Sequence, residues 1–457
     1  MSPLALSRWQ FGITTIYHFI FVPLTIGLAL ALAIMQSAHY RTRDPKYQEM
    51  LDFFSRLFAI NFAIGVVTGI VQEFQFGMNW SDYSIFVGNI FGAPLAIEGL
   101  LAFFLESTFL GIWLFGKDRI SARLHLFSIW MVSIGTIFSA LFILAANSFM
   151  QHPVGYTVDP ATHRAVMTDF FALLTNPALL TSFFHTILAA ITTAAAVILA
   201  VSGYQLVKRG PNPAFAAAAK FGIVTLFLSM FFNAFVGHVQ GQVMTKEQPM
   251  KMAAAEALYN TESGASFSLL TIGNLSGVPV FQIRLPHLLS VLATNSWNGE
   301  VEGINQVQAS EAKQYGAGSY VPAVWITYWT FRIMVGAGIV MLLFSVVGLY
   351  YMWKKTLLRQ RWFLRASIWV AALPFLANAT GWIFTEMGRQ PWIVYGLLKT
   401  ASGVSQITSV SVFITLAGFT LIYTVLAAVD GVLMLRFSKR DISAPEPGAG
   451  HESELVY

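Results

Sequence analysis

The 457-residue sequence contains no cysteine. That absence excludes disulfide bonds, iron–sulfur clusters, thiolate-ligated haem and covalently attached c-type haem. Any metal bound by this chain must therefore be held by His, Met, Glu or Asp side chains.

Charged residues are also scarce. They make up 11% of the chain, against about 25% in an ordinary soluble protein, while 56% of the residues are hydrophobic. This composition predicts an all-α, polytopic membrane protein. The formal net charge is +5, and in such a chain a basic excess orients helices. The sequence contains no basic segment interleaved with aromatic residues, the pattern that would indicate binding to nucleic acid.

Nine hydrophobic segments are long enough to cross a membrane as helices of about 20 residues. The first is predicted to be retained, because its apolar core is too long for a signal peptide. The segments are 11–36, 53–72, 94–116, 124–147, 178–207, 214–238, 323–353, 364–386 and 407–436. An odd number of crossings puts the two chain ends on opposite sides of the membrane.

The distribution of Lys and Arg predicts the orientation of these helices. Basic residues concentrate in alternate connections and in the tail, although the connections on the other side are much longer. The concentrated group is Arg41, Arg43, Lys46, Lys117, Arg119, Arg123, Lys208, Arg209, Lys220, Lys354, Lys355, Arg359, Arg361, Arg365, Arg436, Lys439 and Arg440. The N-terminus is therefore predicted outside and the tail in the cytoplasm.

One connection is much longer than the others. Residues 239–322 form a polar loop, a length that usually indicates function or disorder, and Lys251–Tyr259 within it predicts a short helix. The predicted organisation is helices 1 to 6 over 1–238, an extracytoplasmic loop over 239–322, helices 7 to 9 over 323–437 and a disordered tail over 438–457.

Polar side chains inside the predicted helices are costly in hydrocarbon and therefore indicate function. His18 lies in the first helix and His185 in the fifth, and imidazole is a common iron ligand. A lone membrane histidine is more often an interhelical hydrogen-bonding residue. Glu386, at the end of the eighth helix, is either an inward-facing ligand, proton carrier or ion-pair member, or a helix-end carboxylate that reaches water beside Arg389.

Two more helices contain candidate functional residues. Glu98 and Glu106 are separated by about 12 Å along a helix axis and by about 80° around it, so both can face one cavity as a proton relay or an acid beside a metal. The alternative is that the two carboxylates are structural and that each makes its hydrogen bonds to a neighbouring helix. Helix 7 contains Met334, a type that usually serves packing, and Arg332, whose buried guanidinium requires a carboxylate or a haem propionate.

Two His, one Met beside an Arg, and three inward Glu, without cysteine, indicate haem iron before any other metal centre. A His/Met pair saturates iron for electron transfer, whereas a single His or Glu leaves a position open for a gas. Composition and spacing alone indicate a membrane redox protein or a proton-coupled protein.

Four long motifs follow one another along the chain: YHFIFVPLT at 17–25, EFQFGMNW at 73–80, GAPLAIEG at 92–99 and GRQPW at 388–392. In these motifs, and over essentially its whole length, the sequence resembles subunit I of the cytochrome bd-type quinol oxidases. The resemblance implies nine helices in the bacterial cytoplasmic membrane and three haems, which are a low-spin haem b, a high-spin haem b and a chlorin-type haem d.

The resemblance also implies which residues bind iron. His185 and Met334 would be the axial pair of the low-spin haem. His18 and Glu386 would each ligate a high-spin haem, one of them haem b and the other haem d, in an order that the sequence leaves open. Glu98 would lie close to the first of these sites, as a further candidate metal ligand.

Supporting roles follow from the same resemblance. Arg332 and Arg389 would contact haem propionates, and Trp382 would form an aromatic bridge among the haems. Glu106, together with Glu98, would line a proton route from the cytoplasm.

The loop over 239–322 is similar to the family's quinol-oxidising loop. Lys251 and Glu256 match its Lys-x-x-x-x-Glu element and would bind the quinol head group and accept a proton on the outer side. The loop is the short form, and the segment His238–Gln242 departs from the commoner acidic pattern, so the choice between ubiquinol and menaquinol stays open. The implied partners are a second multi-helix subunit, often a single-helix subunit, quinol, oxygen and membrane lipid.

The predicted function is therefore a terminal respiratory oxidase that oxidises quinol outside and reduces oxygen to water with protons from inside, without pumping. The alternative is a proton-coupled secondary transporter with Glu98, Glu106 and Glu386 as coupling carboxylates. Such transporters usually show an internal repeat or paired interrupted helices, and the sequence shows neither convincingly.

Overall fold

In the computed structural model, which describes residues 1–273, 275 and 279–442, the chain is a helix bundle, as predicted. The helices are α1 Pro3–Thr42, α2 Pro45–Met78, α3 Ser81–Ile97, α4 Phe104–Phe115, α5 Ala122–Gln151, α6 Phe170–Leu174, α7 Pro177–Arg209, α8 Pro213–Glu247, α9 Pro249–Glu256, α10 Leu288–Thr294, α11 Ile304–Tyr315, α12 Val324–Trp353, α13 Arg361–Val370, α14 Leu373–Met387 and α15 Ser409–Ser438.

Within the described residues, nine helical spans are long and apolar enough to cross a membrane, which confirms the prediction from hydropathy. Two spans are composite: α3 continues into α4 across Ser81–Phe115, and α13 continues into α14 across Arg361–Met387. The third span begins well before the predicted start at residue 94. Its first turn contains Ser81 and Asp82, which lower the local hydropathy although the backbone is helical.

A π-helical turn, Glu98–Phe103, joins α3 to α4. Such a turn accommodates about one extra residue relative to an α-helix, so the chain from Glu98 to Glu106 takes up about two turns. The predicted rotation of about 80° between the two carboxylates therefore falls to about 20° in the opposite sense. Both side chains consequently point to nearly the same side of the composite span.

Small residues let α1, α7 and α8 pack closely. A Cβ at Gly27 on α1 would lie 2.6 Å from the Cβ of Ala194 on α7. A Cβ at Gly222 on α8 would lie 3.0 Å from the carbonyl oxygen of Ala195. Larger side chains at either glycine would push the helices apart, and this close packing fixes the position of α7 and of His185 within it.

Helix α8 continues to Glu247, beyond the predicted boundary at residue 238, so the long loop begins after it. The loop contains the predicted short helix, α9, whose first residue is Pro249. The helix ends where Ala257 adopts a left-handed conformation with φ of 48° and donates its amide to the carbonyls of the preceding turn.

Eight short strands lie among the described residues. They are β1 Tyr156–Val158, β2 Ala165–Met167, β3 Glu262–Ser263, β4 Phe267–Gly273, β5 Pro279–Leu285, β6 Glu300–Val301, β7 Trp392–Val394 and β8 Leu398–Lys399. They form four antiparallel pairs, β1 with β2, β3 with β6, β4 with β5 and β7 with β8. Helix α15 ends at Ser438, and the predicted disordered tail lies outside the described residues from 443 onward.

Candidate haem and quinol site

Glu386 lies in the last turn of α14 and contacts side chains from two other segments. Its Oε2 accepts a hydrogen bond from Nη2 of Arg389 at 2.5 Å. Its Oε1 accepts from Nδ2 of Asn147 at 3.1 Å and from Nε2 of Gln151 at 3.4 Å. The Glu386 side chain is 19% exposed and that of Arg389 1%. The carboxylate is therefore held within the bundle by a cation and two amides.

Lys251 on α9 reaches this carboxylate through one intervening side chain. Its Nζ donates to Oε1 of Gln151 at 2.5 Å, and Gln151 in turn donates to Glu386. The lysine packs on the turn after Glu386, where a Cβ at Gly388 would lie 2.8 Å from Lys251 Cγ. Burial lowers the pKa of Lys251 to about 7, with a further lowering by the charge of Arg389 that Glu386 partly offsets. Near neutral pH the lysine can therefore act as a base.

The other end of α9 contacts α12. Oε2 of Glu256 accepts from Nη2 of Arg332 at 2.6 Å, and the two side chains are only 2% and 8% exposed. Arg332 also donates to the carbonyl oxygen of Ser268, at 2.9 and 2.7 Å, and to that of Ala255. Burial raises the pKa of Glu256, although the charge of Arg332 lowers it in part. The guanidinium of Arg332, which was predicted to contact a haem propionate, thus already donates its hydrogen bonds to the protein itself.

Removal of one member of this buried pair should destabilise the protein strongly. Arg332→Leu leaves the Glu256 carboxyl buried without its cation, which costs about 3–5 kcal/mol. The control Lys117→Leu breaks the ion pair with Asp52, whose side chains are 51% and 41% exposed, and should cost at most about 1 kcal/mol. Unfolding measurements on the two purified variants compare these costs, and equal losses would contradict the structural importance of the Arg332–Glu256 pair.

His18 on α1 lies against α2. Its Nδ1 is 2.9 Å from Oγ1 of Thr68, and the Thr68 hydroxyl donates to the carbonyl oxygen of Gly65 at 2.8 Å. Because that hydroxyl hydrogen is already used, Nδ1 is the donor of the first bond and the lone pair of the neutral ring is on Nε2. Gly69 makes room for the ring, since a Cβ there would lie 3.2 Å from Cε1. Hydrogen bonds of this kind orient metal-binding histidines.

His185 and Met334 lie on α7 and α12, each against a glycine of a neighbouring helix. Nδ1 of His185 is buried and has no hydrogen-bond partner among the described residues. The ring lies beside Gly237 of α8, where a Cβ would be 3.6 Å from Nδ1. A Cβ at Gly381 of α14 would be 3.0 Å from the Met334 sulfur. Nδ1 of His185 therefore makes no interhelical hydrogen bond within the described residues.

Helix α14 lies between the candidate ligands. Near its middle it contacts the Met334 sulfur, and the next position, Trp382, contacts Phe19 of α1 with ring centroids 5.2 Å apart. Phe19 directly follows His18, and Glu386 lies one turn beyond Trp382 on the same helix. One helix thus connects the surroundings of three of the four predicted iron ligands.

Glu98 and Glu106 both face α5. Oε1 of Glu98 accepts from the Ser139 hydroxyl at 2.8 Å, and a Cβ at Gly135, one turn earlier on α5, would lie 2.7 Å from Cγ of Glu106. Glu106 is 7% exposed, and its Oε1 has no partner in the part of the chain that the structure describes. Glu73 on α2 lies close enough to Glu98 for the two carboxylates to interact electrostatically, and no role was predicted for Glu73.

The set of donors fits haem. The candidate iron ligands are side chains that bind haem iron or other metals in proteins, namely the imidazoles of His18 and His185, the thioether of Met334 and the carboxylate of Glu386. Arg389 adds a donor for a propionate, because its buried Nη1 lacks a partner within the described residues. An unmet buried donor costs about 1–3 kcal/mol, so a bound anion at this point would stabilise the site.

Two further residues of the site were not predicted. Gln151 links Lys251 to Glu386 across 100 and 235 positions of the chain, and no local pattern marks such a contact. Glu311 accepts from the Tyr395 hydroxyl at 2.8 Å and lines the same narrow cleft as Lys251. Burial raises the pKa of Glu311. The presence of an acidic residue in the long loop was the available signal, but its spacing did not relate Glu311 to Lys251.

Comparison with known proteins identifies the family. Residues 6–442 match the family described as cytochrome bd terminal oxidase subunit I. The chain is 45% identical to the cytochrome bd ubiquinol oxidase subunit 1 of Bacillus subtilis (strain 168), over 99% of this chain and 96% of the relative. It is 36% identical to the cytochrome bd-II ubiquinol oxidase subunit 1 of Escherichia coli (strain K12), over 96% of this chain and 97% of the relative.

The fold is similar to a solved oxidase. The structure of bd oxidase from Geobacillus thermodenitrificans matches with a TM-score of 0.88 and 30% sequence identity, over 96% of this chain and 99% of the other. Each of these proteins is an oxidase, so the alternative prediction of a proton-coupled transporter receives no support. The family match and the identities over nearly the full length assign this chain to the cytochrome bd terminal oxidase subunit I family.

Proposed function

We propose that this chain oxidises quinol beside α9 and holds the haems at which oxygen is reduced to water. As a member of its family it is a haem-bearing, multi-pass membrane subunit of a terminal quinol oxidase, with at least a second subunit. The observation that carries the proposal is the position of α9. Its Lys251 is linked through Gln151 to Glu386, and its Glu256 pairs with Arg332 on the helix of Met334.

Four side chains would hold the haems. His185 and Met334 would hold a low-spin haem b, whereas His18 and Glu386 would hold a high-spin haem b and haem d, with Glu98 near the His18 site. When bound, these groups supply electron transfer and the reduction of oxygen. The chain itself orients the ligands and keeps them within a dry helix bundle.

Two residues would support these sites from outside the ligand set. Nη1 of Arg389 would donate to a propionate, and Trp382 would lie between the haems as an aromatic bridge. Arg332 would act mainly through Glu256, because its donors already have acceptors in the protein. This is a modification of the propionate role that the family resemblance implies.

Lys251 and Glu256 would receive the protons that quinol releases. The pKa of Lys251 is about 7, so above that pH the neutral amine can accept a proton. The rate of quinol oxidation by the purified complex should therefore rise as the pH passes upward through about 7. Lys251→Arg keeps a permanent positive charge and should lack this rise. An equal rise in both proteins would show that another group is the base.

Protons for oxygen reduction would enter along the face of α5. The excess of Lys and Arg at one end of the bundle favours a cytoplasmic position for that end. Glu106 lies on α4, which leads to the basic residues Lys117 and Arg119, and Glu98 lies further from them. Proton release outside and uptake inside would separate charge without a pump. A second multi-helix subunit, often joined by a single-helix subunit, would complete the complex.

Replacement of the Met334 thioether tests the proposed low-spin site. Met334→Leu would remove one of the two axial ligands, so it should weaken the low-spin bands and lower the midpoint potential of this haem, because Met ligation raises it. The bands of the two proposed high-spin haems should remain. Met341→Leu is a matched control on the same helix, since Met341 is 2% exposed and packs in the hydrophobic core. Redox titration followed by absorbance measures the potentials. An unaltered low-spin spectrum and potential in Met334→Leu would mean that another residue is the ligand.

A further inference from the structure

A further buried carboxyl group lies away from α9 and from α5. Asp430 on α15 is 8% exposed and lines a cavity of about 200 Å³. The walls come from α1, α2, α7, α14 and α15 and are mainly apolar, with Val197 and Phe375 among them. An ionisable group in such surroundings is costly and indicates a path for ions or protons by default.

The cavity extends from one end of the bundle toward its interior. Ser438, the last residue of α15, lines it at the end where Arg209 pairs with Asp441 at 2.7 Å. Ile20, two positions after His18 on α1, lines it further inside. The cavity therefore extends from the basic end of the bundle to Ile20 in the interior.

Two residues that line this cavity have a buried acceptor oxygen, Oδ1 of Asp430 and Oδ1 of Asn61, without a partner among the residues that the structure describes. The orientation of the Asn61 amide is fixed, because its Nδ2 donates to the carbonyl oxygen of Phe21 at 2.8 Å and to Oγ1 of Thr25 at 2.7 Å. Its Oδ1 must then accept from a donor outside this network. Each unmet buried acceptor costs about 1–3 kcal/mol, so a small donor molecule would stabilise both.

We propose that this cavity holds water and that Asp430 is a proton-loading site at the basic end of the bundle. Water donates to both oxygens and is stable in a buried site that offers polar partners. A hydronium ion at the cavity mouth would protonate the Asp430 carboxylate, leaving water and a neutral carboxylic acid. The acid would then pass its proton to the next water, toward Asn61 and the interior.

This site differs from the proposed route along α5, because its walls include neither Glu98 nor Glu106. The inference rests on the proposed function only for the use of the proton at the haems. Protonation of the Asp430 carboxyl group, and exchange of its proton with water, take place in the resting complex. They can be measured even where no oxidase activity is present.

Infrared difference spectra of the purified complex, recorded across a pH titration in H₂O and D₂O, test the protonation of Asp430. The wild-type protein should show a carboxylic acid C=O band that shifts in D₂O. Asp430→Asn, which keeps the size of the side chain, should lose this band, and Glu106→Gln should retain it. Spectra that Asp430→Asn leaves unchanged, or a band at Asp430 that does not shift in D₂O, would overturn the proposal.

A second variant tests the role of the water. Val197→Phe places a larger side chain in the cavity and leaves Asp430 intact, so the band should remain but its shift in D₂O should be delayed. Uptake of protons during reaction of the reduced complex with oxygen, followed with a pH-indicator dye, should be slower in Asp430→Asn, with haem reduction by quinol at the wild-type rate. Uptake at the wild-type rate would refute proton loading at this site.

Discussion

Replacement of Glu386 by Gln is expected to remove one of the two proposed high-spin haems from the purified complex. The amide has no negative charge to offer iron, and it also deprives the buried Arg389 of its ion-pair partner, a change that costs about 3–5 kcal/mol. Haem content per complex and the reduced-minus-oxidised absorbance measure the loss directly. The low-spin bands should remain, because His185 and Met334 lie on other helices.

The control for this substitution is Glu311→Gln. Glu311 is also a buried glutamate, 5% exposed, and its Oε1 accepts from Tyr395, but it is outside the proposed ligand set. It should retain the full haem content. If Glu386→Gln also kept every haem and an unchanged high-spin spectrum, Glu386 would be an ion-pair partner only.

Replacement of Lys251 by Met should reduce kcat/KM for quinol by about 10²–10⁴, the usual effect of losing a general base. The side chain is 5% exposed in the wild-type protein, so the apolar methionine fits the same environment and the bundle should remain intact. Chemically reduced haem spectra of the variant should therefore match those of the wild type. Oxygen consumption driven by an artificial electron donor that bypasses quinol should also continue.

Lys246→Met is the matched control, because the Lys246 side chain lies five positions earlier and is 83% exposed. Its kcat/KM for quinol should stay near the wild-type value. A wild-type kcat/KM in Lys251→Met would remove Lys251 from the quinol site. A fall in both variants would point to the net charge of the loop rather than to a base.

Hydropathy was sufficient to predict the nine spans, because a bilayer requires about 20 apolar residues for each crossing. The short helix in the long loop was also predictable, since Lys251–Tyr259 is rich in helix-forming residues, although the helix runs over Pro249–Glu256. The start of the third span could not be predicted from hydropathy. Ser81 and Asp82 resemble a connection in composition, and the backbone there is helical all the same.

The relative positions of the candidate site residues were harder to predict. Spacing predicted Glu98 and Glu106 about 80° apart on an α-helix, whereas the π-helical turn between them brings both toward α5. No residue pattern marks such a turn, because it depends on contacts with neighbouring helices. The link from Lys251 through Gln151 to Glu386 depends on three segments that are distant in sequence, which periodicity cannot relate.

The reduced-minus-oxidised absorbance spectrum of the wild-type complex, purified with its second subunit, tests most directly whether these side chains bind haem iron. We expect bands of haem b together with the long-wavelength band of a chlorin-type haem d. A preparation without porphyrin-type pigment would contradict the assignment of His18, His185, Met334 and Glu386 as iron ligands.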